Sequence, residues 1–167
     1  QVPGDLDAIF IAVGGGGLCA GVAAYVKNLR PDIKIIAVES DDAACLDAAM
    51  KAGRRVRLKE VGIFADGTAV AQIGKETFRL LKNLVDEVIT VSTDEICAAI
   101  KDVYNDTRAI CEPSGALGIA GLKKYVEAHA VEGQTLMAIQ CGANIDFDRL
   151  RYISERTETG AKREAVL

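Results

Sequence analysis

The sequence contains few of the residues on which several common kinds of site depend. It has a single histidine, His129, and its five cysteines are widely spaced with no Cys-x-x-Cys pair. One histidine argues against a catalytic triad or a metal centre built on imidazole. An odd number of scattered cysteines argues against a disulfide framework or a zinc site. We therefore predict reduced thiols and a cytoplasmic protein.

The chain also lacks an excess of basic charge and long apolar runs, and it has few aromatic side chains. The formal net charge is −4 and the sequence pI is near 5.1, which argues against a nucleic-acid-binding surface. No apolar run approaches the ~20 residues of a membrane-spanning helix, and the printed sequence shows no signal-peptide pattern. Hydrophobic residues make up 50% of the chain but aromatic residues only 5%. A core of Ala, Val, Ile and Leu favours a parallel sheet covered by helices.

The apolar segments alternate between strand and helix patterns within a length suited to one domain. We predict strands at residues 9–13, 33–39, 87–91 and 135–140, and a short edge strand within residues 53–61. Helical patterns lie between them. Ser92-Thr93-Asp94-Glu95 predicts the capped start of one helix, and Pro113 suits the first turn of the next, whose small residues would let it lie close to the sheet or a ligand. The Gly and Asp spacing in residues 62–68 predicts a structured loop, and the charged tail after residue 149 is typical of an exit helix or linker. The expected fold is α/β, with an open, mainly parallel twisted sheet and helices on both faces.

Four consecutive glycines separate the first predicted strand from the first predicted helix. They are Gly14, Gly15, Gly16 and Gly17, and the helical pattern begins at Leu18. A strand, a glycine loop and a helix in this order leave unpaired backbone N–H groups at the positive end of the helix dipole. Side chains would keep an anion away from that backbone. We predict a phosphate-binding loop, with a plain strand-to-helix turn as the alternative.

Three loops directly follow predicted parallel strands, where open α/β sheets bind their ligands. They are the glycine loop, residues 39–42 and residues 141–144. We expect the glycine loop and the loop at Cys141 to meet at one edge of the sheet and to contact a single ligand. Glu39, in the second loop, is interpreted either as part of a helix cap or as a ribose-binding acid.

The residues by themselves leave two cofactors open. The pattern Gly15-x-Gly17-x-x-Ala20 fits the dinucleotide fingerprint, and Glu39 lies at the end of the next strand. This alternative describes a dinucleotide-binding half-domain of an oxidoreductase. Pyridoxal phosphate is the other cofactor, because its single phosphate needs only the N–H groups of the loop. A fragment that binds a phosphorylated ligand without chemistry is a further alternative.

Eight short motifs are spread over the whole chain. They are Leu6-Asp7-Ala8-Ile9-Phe10, the glycine loop from Val13 to Leu18, Ala20-Gly21-Val22-Ala23-Ala24-Tyr25-Val26-Lys27, Ile35-Ile36-Ala37-Val38-Glu39, Phe64-Ala65-Asp66-Gly67, Glu76-Thr77-Phe78-Arg79, Glu112-Pro113-Ser114-Gly115-Ala116-Leu117 and Gly142-Ala143-Asn144. In this order they resemble the threonine deaminase (threonine dehydratase) family. The tail from Leu150 to Arg156, with Arg163-Glu164-Ala165, resembles the biosynthetic form of that enzyme at the passage into its regulatory domain.

The resemblance implies a fold-type II pyridoxal-phosphate enzyme, a lyase that converts L-threonine to 2-oxobutanoate and ammonia at the entry to isoleucine biosynthesis. L-Serine is a compatible second substrate. It also implies that residues 1–150 are the C-terminal half of the catalytic domain, and that residues 151–167 lead toward a missing regulatory domain. Members of this family are allosteric homo-oligomers, dimers or tetramers, so a homo-oligomer is expected here.

The resemblance also assigns cofactor-binding roles to residues of this chain. The residues that it assigns to the cofactor phosphate are Gly14, Gly15, Gly16, Gly17 and Leu18. The family's serine that faces the pyridine nitrogen falls at Cys141, which is a departure because a thiol is a weaker hydrogen-bond donor than a hydroxyl. Glu112 and Ser114 are second-rank candidates, since the family's Glu-Pro-Ser-Gly-Ala stretch lines the ligand edge of the sheet.

No catalytic residue is assigned within the chain. The family's Schiff-base lysine belongs to a motif of the form Ser-Phe-Lys-x-Arg-Gly upstream of the glycine loop, and the printed sequence has no such motif. The chain begins at Gln1 without Met, and we expect it to be a piece of a longer protein. We therefore expect the isolated piece not to turn over threonine.

Overall fold

The computed structural model describes residues 4–160 and contains a four-stranded sheet. The strands are β1 (Ala8–Ala12), β2 (Lys34–Ser40), β3 (Glu87–Val91) and β4 (Leu136–Ala138). Their order across the sheet is β3-β2-β1-β4, and each pair of neighbours is parallel. The predicted parallel α/β sheet is thus confirmed, and three of the predicted strands differ by one or two residues at their ends.

Helices cover both faces of this sheet. They are α1 (Gly17–Leu29), α2 (Cys45–Ala52), α3 (Lys75–Leu84), α4 (Thr93–Thr107), α5 (Pro113–His129) and α6 (Arg149–Gly160). Side chains of β1 alternate between two buried apolar clusters, as the pleat of a strand requires. Ile9 and Ile11 pack with α1, α2 and α3, whereas Phe10 packs with α4, α5 and α6.

Helix starts follow the signals seen in the sequence. The Ser92 hydroxyl accepts the Glu95 N–H (3.3 Å), and the Glu95 carboxylate accepts the Ser92 N–H (2.7 Å), so the predicted cap of α4 is confirmed as a capping box. Pro113 occupies the first turn of α5, as predicted. The third predicted helix begins later than its apolar pattern. Val70 and Ile73, the first apolar residues of that pattern, lie before α3, which begins at Lys75.

The edge strand predicted within residues 53–61 is wrong. This segment forms no strand, and β3 and β4 are the outer strands of the described sheet. The Leu58 N–H instead donates to the Ala71 carbonyl (2.8 Å), and the Arg55 guanidinium donates to the Ile73 carbonyl (2.8 Å). Apolar and charged residues alternate here because an extended loop, like a strand, turns successive side chains to opposite sides.

Helix α5 lies close to the sheet through its small residues, as predicted. A Cβ at Gly118 would lie 3.0 Å from the Ile139 carbonyl oxygen, and one at Gly121 would lie 2.4 Å from Val38 Cγ2. These distances are shorter than van der Waals contact, so α5 can approach β1, β2 and β4 this closely only with glycine at these positions.

The C-terminal helix α6 is packed on α4. Ile153 is buried, the Thr157 hydroxyl donates to the Cys97 carbonyl (3.3 Å), and Arg156 forms an ion pair with Asp94 (3.0 Å). The charged tail therefore forms a helix as far as residue 160, its role as an exit helix or linker stays a prediction, and the rest of the tail lies outside the described residues. Within residues 4–160, no helix is both long enough and apolar enough to span a membrane.

Replacing Gly121 by alanine tests the close approach of α5. We expect Gly121→Ala to lower the free energy of unfolding by about 1–3 kcal/mol, because the new methyl group overlaps Val38. Val38→Ala should cost less in this background than in the wild type, because it removes the overlap. Urea denaturation measures both effects. Gly21→Ala in α1 is the matched control, since a Cβ there meets nothing within 4 Å; equal losses for the two glycine variants would contradict the packing argument.

Candidate functional site

A cavity of about 290 Å³ lies at the carboxyl ends of β1 and β4. The residues that line this cavity and were predicted to contact the ligand are Gly14, Gly15, Gly16, Gly17, Leu18, Glu112, Ser114 and Cys141. Ala12, Gly67 and Thr68 also line it. The parallel pairing of β1 with β4 thus brings the glycine loop and the Cys141 loop to one place, as the order of strands and loops in the sequence predicted.

The glycine loop presents the N-terminus of α1 to this cavity. Gly16 is the N-cap in a left-handed conformation (φ 87°), and the Ala20 N–H donates to its carbonyl (2.9 Å). The N–H groups of Gly17, Leu18 and Cys19 precede this first helical bond, so they have no partner within the helix. Together with the helix dipole, they form a donor set suited to a phosphate.

The four glycines serve two different purposes. A Cβ at Gly14 would lie 2.8 Å from the backbone Cα of Thr68, and one at Gly16 would lie 2.8 Å from Ile73 Cδ1, so the fold itself excludes side chains there. A Cβ at Gly15 or Gly17 would meet nothing within 4 Å. The protein's own packing therefore does not require glycine at these two positions, and the space beside their backbone is open to a ligand.

A second wall of the cavity is polar. The Thr68 hydroxyl donates to the Ala65 carbonyl (3.0 Å) and lies 3.3 Å from the Ser114 hydroxyl. A Cβ at Gly67 would lie 3.0 Å from the same Ser114 oxygen. Sequence reasoning missed Gly67 and Thr68 as lining residues, although the Gly and Asp spacing there indicated a structured loop before α3.

The loop after β4 is fixed to the start of α5. The Glu112 N–H donates to the Gly142 carbonyl (3.1 Å), and a Cβ at Gly115 would lie 2.5 Å from the same oxygen. Cys141 is thereby held at the cavity, with its Sγ 4.0 Å from the Ser114 carbonyl oxygen. Partial burial raises the pKa of the Cys141 thiol most, and the nearby Glu112 carboxylate raises it further. Cys141 is therefore a neutral hydrogen-bond donor at neutral pH.

Glu39 belongs to a helix cap and not to the cavity. Its side chain is fully buried, and its two carboxylate oxygens accept the N–H groups of Leu46 (2.7 Å) and Asp47 (2.8 Å) in the first turn of α2. Burial raises the pKa of Glu39 to about 7. The capping interpretation is confirmed, and the ribose-binding interpretation is wrong because no surface of Glu39 is open to a ligand.

These features fit a cofactor that carries one phosphate and a ring. The α1 N-terminus supplies N–H donors for the phosphate, and the thiol of Cys141 with the hydroxyls of Ser114 and Thr68 supplies neutral polar contacts. A dinucleotide would need an acid at the ribose, and burial removes Glu39 from that role. The described site therefore fits pyridoxal phosphate better than a dinucleotide.

Comparison with known proteins agrees with this geometry. The model of the family described as "Pyridoxal-phosphate dependent enzyme" matches residues 1–142. The chain is 57% identical over 166 residues to L-threonine dehydratase biosynthetic IlvA of Burkholderia multivorans, which covers 99% of this chain and 33% of that protein. It is 55% identical over 167 residues to the protein of the same name from Escherichia coli, which covers 100% of this chain and 32% of that protein.

A solved structure resembles this chain in both fold and sequence. The processed form of threonine deaminase isoform 2 from Solanum lycopersicum superimposes with a TM-score of 0.91 at 45% identity. The match covers 92% of this chain and 45% of that one. The chain thus spans about a third of the length of the curated relatives that it matches, 33% and 32% for the two bacterial proteins above.

Single alanine substitutions in the glycine loop should separate folding from ligand access. We expect Gly14→Ala and Gly16→Ala to lower the free energy of unfolding by about 1–2 kcal/mol or more, through backbone overlap at the first and left-handed backbone at the second. Gly15→Ala and Gly17→Ala should change it by less than about 1 kcal/mol. Thermal or urea unfolding of the four variants measures this. A large loss for Gly15→Ala would contradict the assignment of open space at that position.

The buried Glu39 should make stability depend on pH. Its folded pKa of about 7 lies above the ordinary 4.5, so the native state holds the proton more tightly than the unfolded chain. The resulting contribution, on the order of 3 kcal/mol, is present below pH ~4.5 and is lost as the pH rises to ~7. Urea unfolding between these pH values should show this fall for the wild type and a flatter profile for Glu39→Gln. Glu60→Gln, at an exposed carboxylate, should keep the wild-type slope.

Proposed function

Because the chain belongs to the pyridoxal-phosphate dependent enzyme family, we propose that it is the cofactor-binding part of a threonine dehydratase. In this proposal the intact enzyme converts L-threonine to 2-oxobutanoate and ammonia. The observation that carries the proposal is the cavity in which the glycine loop, the start of α5 and the Cys141 loop meet. Curated relatives that cover nearly the whole chain are named for this activity, which supports the choice of substrate.

We propose that residues 14–18 bind the cofactor phosphate. Gly17 and Leu18 at the start of α1 line the cavity, their N–H groups have no helical partners, and Gly15 and Gly17 leave space for phosphate oxygens beside the backbone. The helix dipole favours the phosphate charge at this end of α1.

Cys141 is proposed to donate a hydrogen bond to the pyridine nitrogen. Its raised pKa keeps the thiol neutral, so it does not place a second charge beside the ring. Ser114 and Glu112 line the same cavity and help to orient the ring. The cofactor, when bound, withdraws electrons from the substrate carbon.

The chain supplies only part of such an enzyme. Within residues 4–160, no lysine lines the cavity. We propose that the cofactor-linked lysine and most substrate contacts come from sequence outside this chain, in keeping with the greater length of the relatives. The proposal also assigns residues 1–150 to the catalytic half-domain and residues 151–167 to the linker. It takes the intact enzyme to be a homo-oligomer in the cytoplasm.

Protection of Cys141 from alkylation tests the cofactor site directly. Cys141 is the exposed cysteine, whereas Cys19, Cys45, Cys97 and Cys111 are buried. Pyridoxine 5′-phosphate has no aldehyde, so it cannot attach to surface lysines. We expect it to slow alkylation of Cys141 by N-ethylmaleimide at least about tenfold at saturation, as read by peptide mass spectrometry.

Two controls sharpen the protection experiment. Pyridoxine without phosphate should protect Cys141 much less, because it lacks the group that the glycine loop binds. Gly15→Ala should fold normally yet lose the protection, since its methyl group occupies ligand space. Protection by NADH but not by pyridoxine 5′-phosphate would instead favour the dinucleotide alternative and refute the proposal.

A chimera tests the reaction. This chain replaces the matching third of the Escherichia coli relative, to which it is 55% identical. We expect the chimera to release 2-oxobutanoate from L-threonine at a rate within about tenfold of the parent enzyme, because the cavity keeps its cofactor contacts. The 167-residue chain by itself should release none above the rate of free pyridoxal phosphate. A folded chimera that binds the cofactor but forms no keto acid would contradict the assigned activity.

A further inference from the structure

The carbonyl groups of the glycine loop are held by residues that do not line the cavity. The Gly14 carbonyl oxygen lies 3.5 Å from Cys45 Sγ of α2 and accepts its hydrogen bond, although the same thiol also contacts the Glu39 carboxylate. The Gly15 carbonyl accepts one from Thr77 Oγ1 (2.8 Å) of α3 and a longer one from the Gly74 N–H (3.3 Å). Three donors, one on α2, one on α3 and one just before α3, therefore hold two successive carbonyl groups of the loop. None of these donors lines the cavity.

Fixing a carbonyl also fixes the N–H group of the next residue. In a planar trans peptide, the C=O of one residue and the N–H of the next point in opposite directions. The contact of Cys45 with Gly14 therefore orients the N–H of Gly15, and the contact of Thr77 with Gly15 orients the N–H of Gly16. Both N–H groups are thereby directed away from Cys45 of α2 and Thr77 of α3, and Gly15 and Gly16 line the cavity.

Thr77 is well placed for this role. It lies in the first turn of α3, its hydroxyl is also 3.1 Å from the Gly74 carbonyl, and its Cβ would lie 3.0 Å from a Cβ at Gly16. Its position relative to the loop is thus fixed by the helix and by packing. If the hydroxyl were removed, the Gly15 carbonyl would lose its shortest hydrogen bond, and the peptide that carries the Gly16 N–H could rotate.

We propose that Thr77 and Cys45 are positioning residues for phosphate binding, which orient the loop N–H groups before the ligand arrives. This inference rests on the proposed function, because it takes the cofactor phosphate to be the ligand of the loop. It adds two residues, from two different helices, that touch neither the phosphate nor the substrate. An orienting role of this kind affects the phosphate-dependent part of affinity and leaves the binding of the ring unchanged.

The test compares a phosphorylated ligand with its unphosphorylated counterpart. Pyridoxine 5′-phosphate and pyridoxine are titrated into the 167-residue chain by calorimetry. The dissociation constant of pyridoxine divided by that of pyridoxine 5′-phosphate measures the phosphate contribution. We expect Thr77→Val to reduce this ratio about five- to tenfold while the dissociation constant for pyridoxine stays unchanged. Thr77→Ser keeps a hydroxyl and should restore most of the ratio. Cys45→Ala and Cys45→Ser form a second, independent pair with the same expected pattern.

Two further variants show whether a change in the ratio comes only from a general loss of stability. Thr157→Val removes a hydroxyl bonded on the opposite face of the sheet, and it should lower stability without changing the ratio. Thr77→Ala removes the hydroxyl without adding a methyl group near Gly15, so it replaces Thr77→Val if that variant does not fold. The expected loss in either Thr77 variant, with rescue by serine, supports the positioning role.

Different failures have different meanings. If the wild type prefers pyridoxine 5′-phosphate and both Thr77 variants keep that preference, the positioning role is overturned and the proposed function stands. If the affinities for both ligands fall together in the Thr77 variants, Thr77 supports only the fold and the positioning role is likewise overturned. If the wild type binds the two ligands equally, the proposed phosphate site fails, and this inference fails with it.

Discussion

The parallel pairing of β1 with β4 is the constraint on which the site depends. Its register, with Ile9 opposite Met137 and Phe10 opposite Ala138, ends both strands at the same edge of the sheet. The glycine loop and the Cys141 loop leave from that edge, although more than a hundred residues separate them in the chain. Neither loop forms the cavity alone, so the site exists only when this long-range pairing has formed.

Close packing of α5 then sets the dimensions of the cavity. Glycines on its sheet-facing side let the helix lie against the backbone of the strands, and Gly115 lets its first turn touch the carbonyl of Gly142. The same turn carries Glu112 and Ser114 into the cavity wall. The small residues that a helix-propensity argument would count as weaknesses are therefore what bring polar side chains to the ligand edge.

Local pattern predicted much of this architecture but not its long-range choices. The capping box at Ser92 and the strand-glycine-helix unit could be predicted because their signals lie within a few residues. The alternation in residues 53–61 suggested a strand, but within residues 4–160 this segment pairs with none of the four strands of the sheet. The sequence allowed two roles for Glu39, helix capping and ribose binding, and only the burial of its side chain distinguishes them. The contact of Thr77 with Gly15 joins residues 62 apart, and nothing in the α3 pattern indicates it.

The cavity lies between elements that pack into the two apolar clusters on opposite faces of the sheet. The glycine loop rests on Ile73 and Leu81 of one cluster, while the other wall continues into Ala116 and Leu117 of the second. A molecule held in the cavity would therefore contact both packing units at once, beside the loop that joins Ala65 of one cluster to Ile73 of the other. By binding only the native arrangement of these walls, it would oppose local opening on either face of the sheet.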